Sequence, residues 1–241
     1  MDAPVLSATR DELHPANSAR YYSIMDIDDR LPYRQGWPLL PVLPVMTSHQ
    51  NIPKVLSPSS ENLGNMHDVL KKHNIVVHTL EVKHRHNIGI PPSKSTLTLC
   101  VLTDENENAK WAPAIRSLRT YVLTQLPYLT LAIEFIDHRI FSGLFTHPIV
   151  AFETKLQKAE SRKRKGVARM LDDCDVGWTS LEFFWRGMGK KKEDCWPCVL
   201  IGTEVPQWTG WWGKGGIVEA VENKMGGGWK AEISYRKVVK Y

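Results

Sequence analysis

His78, His84 and His86 form the densest group of histidines in the chain, which has nine in all. Two residues apart on an extended segment, His84 and His86 point to one side, the way a strand offers two imidazoles to one metal ion. Asn87, Ile88, Gly89 and Ile90 follow and supply no ligand. A third donor must then come from afar, for example His138 or His73. His78, His84 and His86 are the candidate metal ligands, and a divalent metal is the alternative to an expectation of no cofactor.

Carboxylates beside predicted strand ends are a second source of chemistry. Asp104 and Glu105 follow one such strand, and Asp137 with His138 follows its partner, where α/β folds place reacting groups. Asp104, Asp137 and His138 are the catalytic candidates. Gly213, Lys214, Gly215 and Gly216 precede a predicted helix, so backbone amides and the helix dipole could hold an anion at Lys214, Gly215 and Gly216. The spacing matches neither the P-loop nor the dinucleotide fingerprint.

Several chemistries drop out. Cys195 and Cys198 are spaced C-x-x-C, but Val199, Leu200 and Ile201 continue as a strand, whereas a redox motif opens a helix. No second C-x-x-C or histidine pair completes a zinc site. No nucleophile elbow, H-E-x-x-H or kinase signature occurs.

Arg162, Lys163, Arg164 and Lys165 lie in a segment, 154–169, holding seven basic residues and one acid. This run reads first as a solvated helix face, then as a nuclear-import signal, then as a phosphate contact for nucleic acid. Of nine tryptophans, seven lie from Trp178 onward. Trp111 and the Trp211, Trp212 pair precede helices and are expected in the core. Trp208, in a polar turn, is expected to be exposed and available to a partner.

The elements that must position these groups follow from periodicity. Eight of the fifteen prolines fall in residues 1–60, which predicts an irregular arm laid over the body through Leu39, Leu40, Val42, Leu43, Val45 and Met46. Ser60 and Asn62 cap a helix with Leu63, Met66 and Leu70 on one face, ended near Asn74. Strands are expected over 75–82 and 96–103.

Two segments echo one another. Over 97–139, a strand precedes Trp111, a helix with Ile115, Leu118, Val122 and Leu126 aligned, and a strand containing Glu134. Over 197–237, a strand precedes Trp211 and Trp212, a helix with Ile217, Val221 and Met225 aligned, and a strand containing Glu232. Each is the length of a crossover between parallel strands, so the expected fold is α/β, a mostly parallel or mixed sheet flanked by helices, with two pseudo-repeated βαβ units. Residues 61–241 are expected to form one domain. Between the echoes, 152–171 reads as a helix weakened by Gly166. Thr179 and Glu182 have capping-box spacing for another helix, with a strand the close competitor.

The composition, 241 residues with 42% hydrophobic and 24% charged and a formal charge of +5, excludes collagen-like and wholly disordered chains. No apolar run reaches the length of a membrane span. The amino-terminal residues lack a secretory pattern and four cysteines need not pair, so a cytoplasmic or nuclear location and no membrane partner are expected. The functional expectation is a binding or regulatory module that uses the Trp-rich half and the basic segment, with a protein partner ahead of nucleic acid. The alternative is an enzyme, metal-assisted through the histidines or acting on an anion at the Gly-rich helix start.

Overall fold

Ser60 starts the first helix by accepting the Leu63 amide at 3.3 Å on its hydroxyl, which satisfies one of the four orphan donors of a helix start. Leu63, Met66 and Leu70 recur at helical spacing and are buried. The chain turns at Asn74, whose φ of 54° lies in the left-handed region that asparagine tolerates.

In the computed structural model of the protein, residues 27–88, 90–104, 108–142, 144–150, 154–206, 208–212 and 216–236 are described. Their order is β1 (Asp28–Leu31), β2 (Arg34–Trp37), β3 (Val45–Ser48), α1 (Glu61–Lys72), β4 (Val77–Asn87), β5 (Thr96–Thr103), α2 (Trp111–Gln125), β6 (Ala132–Asp137), β7 (Phe145–Pro148), α3 (Thr154–Asp173), β8 (Trp178–Gly187), β9 (Cys195–Thr203), α4 (Ile217–Met225) and β10 (Lys230–Tyr235). The class is α/β, built on two mixed sheets rather than one: β1-β2-β6-β5-β4-β3 and β10-β9-β8-β7.

Only β5 with β6 and β9 with β10 run parallel; every other described pairing is antiparallel. Of the two expected arrangements, mostly parallel or mixed, the sheets are mixed, because the turns between β4 and β5 and between β8 and β9 are too short to reverse the chain twice. Both strand, helix, strand segments do form, β5-α2-β6 and β9-α4-β10.

The sheets' alternation separates two surfaces. Leu99, Val101, Ile133 and Phe135 lie in one core with residues of α1 and α2. Val199, Ile201, Ala231 and Ile233 lie in a second with Val167, Leu171, Val221 and Met225. Residues of the opposite phase include Cys100, Glu134, Leu200 and Glu232, all buried. Trp111, Trp211, Trp212 and Trp229 are buried as well.

Two local readings change. Residues 28–48 contain three paired strands where prolines suggested an irregular arm. Pro38, Pro41 and Pro44 fall between β2 and β3, so no ladder loses a donor. Residues 178–187 are a strand rather than the capped helix: Leu181 and Phe183, two apart, face the second core and stand opposite Ile201 and Val199. Across the parallel pairs Cys100 stands opposite Glu134, and Leu200 stands opposite Glu232. Gly226, Gly227 and Gly228 end α4 with φ of 61°, 61° and 79°, conformations that glycine adopts without Cβ strain.

Candidate functional site

The register of the first sheet determines which end residues meet. Thr103 closes β5 opposite Asp137, the last residue of parallel β6, and Val77 opens antiparallel β4 opposite Thr103. Asp104 and His138 come next along the parallel pair, and His78 is the extra residue of a bulge between Val77 and Thr79, so the three stand together at the carboxyl edge of that pair. Asp104 Oδ1 contacts His78 Nε2 and lies 2.8 Å from His138 Nδ1. The two imidazole rings are 4.8 Å apart between centroids and tilted by 36°. One ligand atom from each residue falls within 4.8 Å of the others.

His138 Nδ1 is buried and lacks a hydrogen bond of good geometry among the described residues. The three side chains are otherwise about two-fifths exposed, at 43%, 39% and 41%, so solvent reaches the group. Behind them Asp137 is almost fully buried and held by Arg139, whose Nε donates at 2.9 Å to Oδ1 and whose Nη2 donates at 2.5 Å to Oδ2. The Arg139 amide also donates to Oδ1, at 2.9 Å. Asp137 therefore fixes the turn carrying His138 and is committed to Arg139.

The predicted metal trio is thus divided. His78 joins Asp104 and His138, whereas His84 and His86 lie six and eight residues further along β4, roughly 20 Å or more away at strand rise. His84 Nδ1 is 3.2 Å from Ser95 Oγ, and His86 is buried opposite Met46. Residues 83–87, beyond the strand expected over 75–82, continue β4, which pairs on both sides.

The remaining candidates do not converge. Lys214 and Gly215 lie outside the described residues. Gly216 precedes α4, where an added Cβ would meet the Trp212 carbonyl carbon at 2.7 Å. Trp208 is half-buried, edge-on to Trp211 at 5.9 Å between centroids, because the turn folds back onto the second core. In the basic run Lys163 Nζ donates to the Met225 carbonyl at 2.5 Å, at the end of α4, where a cation complements the helix dipole. Arg164 pairs with Glu160, donates to the Leu181 carbonyl at 3.1 Å and lies 4.4 Å from the Phe183 ring centroid. Arg162 and Lys165 are exposed.

A second group of charges was not anticipated. Glu134, with no exposure, accepts from Arg34 Nε at 2.6 Å and Arg85 Nη2 at 2.8 Å. In the second sheet Glu232 accepts from Arg186 Nε at 2.8 Å and from the Tyr33 hydroxyl at 3.3 Å. Burial by itself raises a carboxyl pKa. Against that, the two guanidiniums hold Glu134 below its ordinary value, whereas Glu232, with one, stays raised. Burial also raises the Cys198 and Tyr33 pKa values. The legible signal was each glutamate inside an apolar strand, since a buried carboxylate requires a cation.

No protein-family model matches the chain, and no curated protein or solved structure does.

Proposed function

We propose that the protein is a metal-dependent enzyme whose ion is held by His78, Asp104 and His138. The carrying observation is the convergence of His78 Nε2, Asp104 Oδ1 and His138 Nδ1 at the carboxyl edge of parallel strands. Two imidazoles and one carboxylate suit a first-row divalent ion and leave coordination positions open for water or substrate. Metal-to-ligand bonds of about 2.0–2.2 Å put ligand atoms roughly 3 Å apart, so the three groups need only small shifts to receive the ion. The exposure of the site favours solvent entry, and the chemistry is that of a metal-activated water.

We also read the halves as copies of one unit, β3-α1-β4-β5-α2-β6 and β7-α3-β8-β9-α4-β10. Supporting this are the shared element order, the Arg85–Glu134 and Arg186–Glu232 pairs, and Thr47 and Thr146 opposite those arginines. The row matching the triad carries Thr179, Glu204 and Arg236 in the second half, so the proposed chemistry belongs to the first.

Titration of metal-free protein with zinc, iron(II) and manganese tests the site. One of these ions binds one per chain, His78→Ala and His138→Ala each abolish stoichiometric binding, and His84→Ala retains it. Absence of binding for all three ions, or wild-type binding in His138→Ala, refutes the assignment.

A further inference from the structure

A cavity of about 330 Å³ lies between the β1-β2 segment and the second sheet, at the small end of metabolite sites. Its wall combines Arg30, Tyr33, Arg34, Arg186 and Glu232 with apolar Val42, Leu43, Leu144 and Leu200. The polar wall is held in place before any ligand arrives. Arg30 Nε and Nη2 both donate to Asp28 at 2.6 Å, Nη2 also donates to the Leu40 carbonyl at 2.8 Å, and the guanidinium carbon lies 4.0 Å from the Trp212 ring centroid. Arg34 uses Nε on Glu134 and Nη1 on the Pro41 carbonyl, each at 2.6 Å.

What is left over points to a ligand. Arg30 Nη1 and Arg34 Nη2 are buried without a hydrogen-bond partner among the described residues. The Arg34 side chain is only 2% exposed. Arg30 is matched by Asp28, Arg34 and Arg85 share Glu134, and Arg186 has Glu232. Four guanidiniums therefore face three carboxylates in this buried network. An unmatched buried cation and orphaned guanidinium donors are costly, and an oxyanion with two acceptor oxygens answers both. The apolar part of the wall takes an apolar body.

We infer that this cavity binds an amphipathic anion, a carboxylate or phosphate group set against Arg30 and Arg34 with an aliphatic body against Val42, Leu43, Leu144 and Leu200. The site is independent of the metal triad, and no atom of either is needed by the other.

Calorimetry of the full chain with octanoate, octyl phosphate, octanol and inorganic phosphate tests it. Octanoate or octyl phosphate binds, and the tighter of the two identifies the head group. Octanol and inorganic phosphate bind at least about tenfold more weakly, since each lacks one half of the recognition. Arg30→Met, which retains an apolar stem over Trp212, loses about tenfold or more for the preferred anion. Octanol binding as tightly as both anions, no binding of either anion, or unchanged anion affinity in a folded Arg30→Met overturns the inference. If that variant does not fold, the ranking of the four probes on the wild-type chain decides the matter.

Discussion

Glu134→Gln removes a negative charge from a fully buried site and leaves Arg34 and Arg85 facing an amide. Removing one partner of a buried ion pair costs about 3–5 kcal/mol, because the surviving charge stays out of water. Two guanidiniums are stranded at once, and Pro41 and Thr47 are their other partners, so the upper part of that range applies. At about 2–4 °C per kcal/mol for a chain of this size, the melting temperature falls by roughly 10 °C or more. Glu232→Gln is the matched comparison. Burial raises this carboxyl's pKa despite Arg186, and the one guanidinium left behind is 21% exposed, against 2% for Arg34. That variant loses less than Glu134→Gln near neutral pH, because a single cation is stranded and it reaches solvent.

The pH dependence has opposite signs at the two residues. A carboxyl depressed on folding, as at Glu134, contributes stability above its unfolded pKa that is lost as pH falls through the folded value. A carboxyl raised on folding, as at Glu232, binds its proton more tightly in the folded chain. Stability therefore declines as pH rises from 4.5 to the raised value. Urea unfolding from about pH 2 to 8 measures both effects: Glu232→Gln flattens the upper decline, and Glu134→Gln removes the acid loss, which lies below pH 4.5. Equal destabilisation by the two substitutions, or a cost below about 1 kcal/mol for Glu134→Gln, refutes the charge accounting.

Gly36→Ala places a Cβ 2.3 Å from the Ile133 carbonyl oxygen and 2.7 Å from Leu40 Cδ1. Thermal melts then show a loss of about 2 kcal/mol or more. Gly166→Ala meets only the tip of Lys224, at 2.7 Å from Cε, and its gain in helix propensity stabilises α3 by up to about 1 kcal/mol. Ser60→Ala removes the cap on Leu63 and costs about 1 kcal/mol in urea unfolding, whereas Ser60→Asp restores most of it.

The helices were legible because their buried residues recur at 3.6-residue spacing. Ile115, Leu118 and Val122, and Ile217, Val221 and Met225, are buried as periodicity requires. Residues 178–187 misled because Leu181, Phe184, Trp185 and Met188 fit a helix while Leu181, Phe183 and Trp185 fit a strand. Only pairing with β9 decides between them. Asp104 and His138 were singled out at strand ends and His78 within a histidine cluster, but joining them required the register of β4 against β5, a contact between residues 26 apart with a bulge at His78. Arg34, Arg85 and Arg186 gave no local signal, since their counterions lie 100, 49 and 46 residues away.

The placement of β2 orders how the chain can be completed. β2 is laid down early, yet its ladder is β6, roughly a hundred residues later. Tyr33 waits 199 residues for Glu232. During synthesis the amino-terminal strands leave the ribosome before either partner exists. The hairpins of β1 with β2 and of β4 with β5 close over short loops by comparison and can form before either. β10, the last of the described strands, then supplies Glu232, which ties the turn between β1 and β2 to the second sheet.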